Sequence, residues 1–339
     1  MALSAVENLH ELMKKDGKPD RLLLEWEPFE FNMVDPLFSY LYGNRRPGVV
    51  NTRDRWGTRF DWPEGEPGAM PIVTADDCVC PDVLRWKEFV KLPDLDAAAM
   101  EPGAWDAARK LQDEIHERGL LSTVHFCYGT FEQSHFLMGM ENTLCNLLDE
   151  DCEEAMHELI DAIAAWRYHY AELLVEYLHP DVINSHDDWG AFNNLFFPPE
   201  VWRSFFKENY RKMYAMLHDA GAIVIHHADS YLEPIVSDLS EIGADIWQGV
   251  LPTNNIPAMQ EQLDGSMILM GGLSSVVDRA DAPEEEIRAE VRRAIAEYGP
   301  GGRWICCLTP GRKNGAIFPR TDEIVCDEIA RYNKEAFGL

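Results

Sequence analysis

The sequence predicts an α/β chain of the (β/α)8 TIM-type barrel class, and two observations carry that prediction. From about Leu120 onward, short apolar segments alternate with longer amphipathic ones, the pattern of repeated β/α units on a parallel sheet. Three apolar segments, DVINSHDDWG (181–190), AIVIHHADS (222–230) and RWICCLTPG (303–311), end in histidine, carboxylate, serine or cysteine side chains. A strand buried on both faces reads as a continuous apolar run, so polar groups gathered at its carboxyl end lie at the mouth of the sheet.

The elements follow in order. Residues 1–20, MALSAVENLHELMKKDGKPD, read as an amphipathic helix with charges throughout, unlike a signal peptide. RLLLEWE (21–27) is the first expected strand. Residues 43–103, rich in Gly, Pro, Trp and Asp, break the β/α pattern and are expected as an insertion over the barrel mouth, with a hairpin around Trp56 to Trp62. LLSTVHFC (120–127) is strand, followed by helices in 131–148 and 151–178. DVINSH (181–186) is strand, and the helix from Pro198 to Ala220 takes its prolines in the first turn. AIVIHH (222–227), ADIWQGV (244–250) and SMILMGG (266–272) are strands separated by helices near 231–242 and 256–264. PEEEIRAEVRRAIAEYG, RWICCL and TDEIVCDEIARYNKEAF complete the chain as helix, strand and helix. Seven strands result, and no segment stands out as the eighth that would close the barrel. The 339 residues, 46% apolar, suit one large domain.

A net charge of −29 argues against nucleic acid or an anionic membrane as partner. No apolar run approaches the roughly 20 residues of a membrane span. Eight scattered cysteines form no dense disulfide framework, which suits reduced thiols and a cytoplasmic protein.

His226, His227 and Asp229, with Asp187 and Asp188, are the candidate site residues, and Tyr231 lies just beyond. Taken singly, each is more readily read as a core histidine or a helix cap, but three such strand ends together favour one shared cavity. Glu25, Trp26, Phe29 and Phe31, with Trp56 and Trp62 of the insertion, are candidate substrate contacts, the aromatic ones offering an apolar wall or simple core packing. His125 and Cys127 form a second strand-end pair whose side chains share one face; packing is the preferred reading there. His135, His157, His169, His179 and His218 fall on helices or helix ends and read as surface or structural groups.

The order of DDWG (187–190), FFPPEVWRSFFKENYRKMYAMLHDAGAIVIHH, GADIWQGV, MGGLSS and YGPGGRW resembles the uroporphyrinogen decarboxylase superfamily over nearly the whole chain. That superfamily includes porphyrin decarboxylases and corrinoid-linked methyltransferases, and its fold is the (β/α)8 barrel. The decarboxylases carry an arginine-rich segment after the first strand, where this chain has LEWEPFEFN; Glu25, Glu27 and Glu30 would repel a polyanionic porphyrin. The methyltransferase branch is therefore the expected one. Its members hold Zn²⁺ with a His-x-Cys and a last-strand Cys. His226 matches that histidine, but Ala228 stands in place of the cysteine. The resemblance thus implies either zinc on His226 with His227 or Asp229 and one of Cys306 and Cys307, or metal-free catalysis by the histidines.

Loss of a thiolate ligand favours an O-demethylase, moving a methyl group from a small methoxylated aromatic to the Co(I) of a separate corrinoid protein. There His226 and His227 would stabilise the departing oxygen, with Asp187, Asp229 and Tyr231 orienting them. The corrinoid would arrive on its own carrier, since the chain lacks the Asp-x-His-x-x-Gly motif. The alternatives are methyl transfer from methylcobalamin to a thiol or pterin, and a non-catalytic barrel binding a corrinoid or tetrapyrrole. A homodimer is the remaining partner expectation.

Overall fold

The computed structural model describes residues 2–43, 45–66 and 68–338. Among the described residues there are ten strands: β1 (Phe29–Phe31), β2 (Val49–Arg53), β3 (Arg59–Trp62), β4 (Met70–Ile72), β5 (Leu121–Phe126), β6 (Val182–His186), β7 (Ile223–His227), β8 (Ile246–Val250), β9 (Ile268–Gly272) and β10 (Trp304–Cys307). Seven form one parallel sheet in the order β1-β5-β6-β7-β8-β9-β10, curled and surrounded by helices in the manner of a TIM-type barrel. Consecutive strands lie side by side because each helical crossover returns the chain to the next position.

The apolar strand residues divide by parity, as the period of two requires. Val182, Ile225, Ile246, Ile268 and Ile305 point inward and meet Leu9, Leu23 and Trp26. The helix Ala5–Met13 therefore covers the amino-terminal end of the barrel. Its start is fixed by a capping box, with the Ser4 hydroxyl accepting from Glu7 N at 3.2 Å and the Glu7 carboxylate accepting from Ser4 N at 2.8 Å. Outward residues such as Val124, Ile183, Val224 and Trp247 pack under the helices.

The expected first strand, 21–27, forms no ladder. Glu25 has φ 48°, which breaks the extended backbone, and side chains satisfy the segment instead. Asn333 donates to Leu22 O at 2.8 Å and accepts from Leu22 N at 3.0 Å, while the Glu25 carboxylate accepts from Leu308 N at 2.9 Å. The actual first strand is the three-residue β1, paired with Leu121–Thr123. Among the described residues no ladder joins β1 to β10, and segment 21–27 bridges between them through these side-chain bonds.

Within residues 43–103, β2, β3 and β4 form an antiparallel sheet that includes the expected hairpin. Phe60 of β3 stacks on Tyr128 just beyond β5, with ring centroids 6.2 Å apart, so this sheet lies against the barrel's carboxyl end. Among the described residues no helix is long and apolar enough to cross a membrane.

Candidate active site

Three neighbouring strand ends build the site. His186 and His227 are register partners on β6 and β7, and both face inward, their rings 4.6 Å apart. On β6 the inward parity continues to Asp188, whose Oδ2 lies 3.3 Å from His186 Nε2. From β5 come His125 and Cys127; the Cys127 Sγ is 2.8 Å from His125 Nε2 and 3.5 Å from His186 Nδ1. Glu132, one turn into the helix Thr130–Met138, completes the cluster with its Oε1 3.7 Å from His186 Nε2. The ligand atoms of Glu132, His186 and Asp188 lie within 4.8 Å of one another, a grouping able to hold a metal ion.

One imidazole thus faces several carboxylates. Burial opposes charge on His186, but Glu132, Cys127 and Asp188 outweigh it and hold the ring above its ordinary range. Burial likewise opposes the Asp188 carboxylate, yet hydrogen bonding and charge from His186, with the Ser230 hydroxyl, hold it below the usual range. Glu132 is pushed up to about 8 by burial, with His186 opposing the shift and Asp188 and Asp187 adding to it. Asp188 Oδ1 also accepts from Asp229 N at 3.0 Å and from the Ser230 hydroxyl at 3.1 Å, so β6 holds the loop after β7.

His227 is held neutral, lowered to about 4 by burial and by His186. The Gln248 amide donates to Leu308 O at 3.2 Å and Thr309 O at 3.1 Å, which turns its Oε1 towards His227 Nδ1. The proton therefore sits on Nδ1 and leaves a lone pair on Nε2. Gly311 covers this ring: a Cβ there would lie 2.8 Å from the imidazole.

The alternate residues turn the other way. His226 is fully buried in the helical layer, its Nδ1 2.8 Å from Tyr214 Oη and its ring stacked 4.3 Å from Trp189. Asp187, also fully buried, accepts from Phe131 N (3.0 Å), Glu132 N (2.9 Å), Trp189 Nε1 (2.9 Å) and Tyr210 Oη (2.6 Å). It serves as the cap that Gly129, lacking a side chain, cannot supply, and so fixes where Glu132 begins its helix. A Cβ on Gly129 would fall 1.9 Å from the Asp187 carboxyl carbon, so only glycine fits there.

The structure does not bring the proposed zinc set together. His226 and Cys306 face the helices, Cys307 lies inside the barrel 4.0 Å from Gln248 Nε2, and Ala228 is buried. Burial, and then Glu25, push both cysteine thiols well above their ordinary range. The inward register on this strand end is His227 followed by Asp229, one residue on from 226 and 228. Tyr231 sits on the rim, its N donating to Ala191 O at 2.8 Å.

Of the expected aromatic contacts, Phe31 reaches the site, 6.4 Å from the His125 ring. Trp26 and Phe29 pack inside the barrel, Trp56 is buried against Trp166 at 4.8 Å, and Trp62 is tied to Glu66 O within the insertion. Phe38 and Tyr128, missed in the sequence, lie 6.2 Å from His125 and 6.3 Å from His186. Glu25 is buried under Leu308, Glu27 pairs with Arg21, and Glu30 pairs with Arg118 and Lys313. None of the three is a free charge at the mouth, so the case against a porphyrin rests on the missing arginines rather than on repulsion.

Among solved structures, the chain is similar to a methyltransferase from Methanosarcina mazei, with TM-score 0.63, 14% identity, and coverage of 97% of this chain and 99% of that one. At that identity the likeness is one of fold. A weaker likeness, TM-score 0.38 at 17% identity over 55% of this chain and 71% of the other, is to dihydropteroate synthase from Anaplasma phagocytophilum. No curated protein matches the sequence. The family model for uroporphyrinogen decarboxylase (URO-D) matches residues 67–322, most of the chain, and the chain belongs to that family.

Proposed function

We propose that this chain is a methyltransferase of the O-demethylase kind, taking the methyl group of a small methoxylated aromatic and delivering it to the Co(I) corrinoid of a separate protein. The observation that carries the reading is the Glu132–His186–Asp188 cluster set beside the rings of Phe31, Phe38 and Tyr128. Rings of this kind hold an aromatic donor, and the cluster meets its ether oxygen. An alkoxide or phenolate leaves poorly at neutral pH, and a positive group at that oxygen lowers the barrier. As the methyl carbon–oxygen bond breaks, its electron pair would stay on oxygen and be neutralised by the positive charge held at the cluster, while the methyl group would pass to the corrinoid as acceptor. Neutral His227 orients the oxygen or accepts a ring hydroxyl through Nε2. The corrinoid supplies the nucleophilic Co(I) when its carrier docks at the mouth.

The methyltransferase named among the structural neighbours agrees with this reading. Transfer to a thiol would call for soft thiolate ligands converging on zinc, and Cys306 and Cys307 turn to opposite faces of the last strand, away from the His186 cluster.

Anaerobic assay with a Co(I) corrinoid protein and a panel of methoxyaromatics is the test. The expected result is loss of the Co(I) spectrum matched by release of the phenol, with no CO₂ from uroporphyrinogen. Decarboxylation above a no-enzyme control, or no demethylation of any methyl ether, would overturn the proposal.

A further inference from the structure

We propose that Glu132, His186 and Asp188 form a divalent transition-metal site, built from different residues than the His-x-Cys and cysteine set that the resemblance implied. Each ligand comes from a separately anchored position. His186 ends β6, Asp188 follows two residues later on the same face, and Glu132 is set by the Asp187 cap on the helix start. The three ligand atoms fall within 4.8 Å of one another, close enough to share one ion. Glu132 is 7% exposed, and its Oε1 has no hydrogen-bond donor among the described residues; its nearest cationic neighbour is His186 Nε2 at 3.7 Å. The other oxygen, Oε2, accepts only a long bond from Gly129 N at 3.4 Å, so this buried carboxylate directs its free oxygen at a histidine and a second carboxylate, where a cation fits. The other face of His186 is already seated: Nδ1 lies 3.5 Å from Cys127 Sγ, which points Nε2 at the carboxylates, as outer partners of metal-bound histidines do.

The donor set defines the ion. Two carboxylates and one imidazole suit Zn²⁺, Mn²⁺, Fe²⁺ or Co²⁺; the imidazole selects against Ca²⁺ and Mg²⁺, and the lack of a thiolate selects against Cu(I). Three protein ligands leave a position open for an oxygen of the substrate. The ion displaces the proton of His186 and carries the positive charge in its place. The inference deepens the proposed function by naming what meets the departing oxygen, but binding itself does not depend on turnover.

Titration calorimetry with Zn²⁺ on chelator-stripped protein, with metal analysis after dialysis, tests the site. The wild type is expected to take up a single Zn²⁺ and to prefer it to Ca²⁺. Loss of an outer partner weakens metal sites by about 10–100-fold, so Glu132→Gln, His186→Asn and Asp188→Asn should each do at least that. The double variant Cys306→Ser, Cys307→Ser should bind as the wild type does. Co²⁺ added to the unaltered protein gives an independent readout: a ligand-field spectrum without a thiolate-to-cobalt charge-transfer band. No Zn²⁺ uptake, binding that survives all three substitutions, or a thiolate band lost with Cys127, Cys306 or Cys307 would overturn the site. Zinc held by these ligands without demethylation would remove the proposed function and leave the site standing.

Discussion

Asp187→Ala is expected to destabilise the fold by about 3–5 kcal/mol and to abolish any activity that depends on Glu132. The carboxylate is fully buried and receives four donors: two amides at the start of the helix Thr130–Met138, the Trp189 indole and the Tyr210 hydroxyl. Alanine leaves all four without their acceptor in a space closed by Gly129, and an unpaired buried donor costs about 1–3 kcal/mol before relaxation. Asparagine fills the same volume but turns an amide N–H₂ towards donors, so about half the loss should remain. Urea denaturation followed by circular dichroism, with the slope compared between variants, measures the effect. A loss below about 1 kcal/mol for the alanine variant would show that Asp187 does not hold this corner.

Glu25→Gln is expected to change how stability depends on pH. Burial raises the Glu25 carboxyl to about 8, with Leu308 N opposing the shift and Asp322 reinforcing it. The folded pKa lies above the ordinary 4.5 of the unfolded chain, so between these values the folded state keeps a proton that the unfolded state has released. Stability from this group is therefore present below pH 4.5, falls as pH rises towards 8, and stays lost above it. Glutamine still accepts from Leu308 N and has no charge to bury. The variant should gain on the wild type between pH 5 and 8.5 by a few kcal/mol, at most about 5, in paired denaturation curves. Parallel pH profiles for the two proteins would refute the assignment.

The fold was legible wherever hydrophobicity had one clear period. Six strands from Leu121 to Cys307 fall within the apolar runs that announce them, because strands buried on both faces need such runs. Segment 21–27 is equally apolar, but its backbone bonds go to Asn333 and its Glu25 turns the chain, and neither signal is local. At the site, the strand ends were visible but their parity was not. In His186-Asp187-Asp188 and His226-His227 neighbouring residues are polar on both faces, so composition alone does not say which face meets the mouth. The DDWG segment resolves only in three dimensions: Asp187 caps a helix, Asp188 meets His186, and Trp189 stacks on His226. Glu132 is delivered by the helix after β5, and its spacing after Gly129 was the one available hint.

The unladdered join between β10 and β1 makes the barrel a hoop with a clasp. Separating two inner strands breaks a run of backbone bonds, whereas parting the clasp breaks a few side-chain bonds, chiefly Glu25 to Leu308 and Asn333 to Leu22. Amide exchange should accordingly be fastest there and slowest in β6 to β8. The clasp is continuous with the loop that places Gly311 over His227 and offers Leu308 O and Thr309 O to Gln248. Loosening at the clasp thus releases the tautomer of His227, which ties the weakest mechanical point of the ring to the protonation of its mouth.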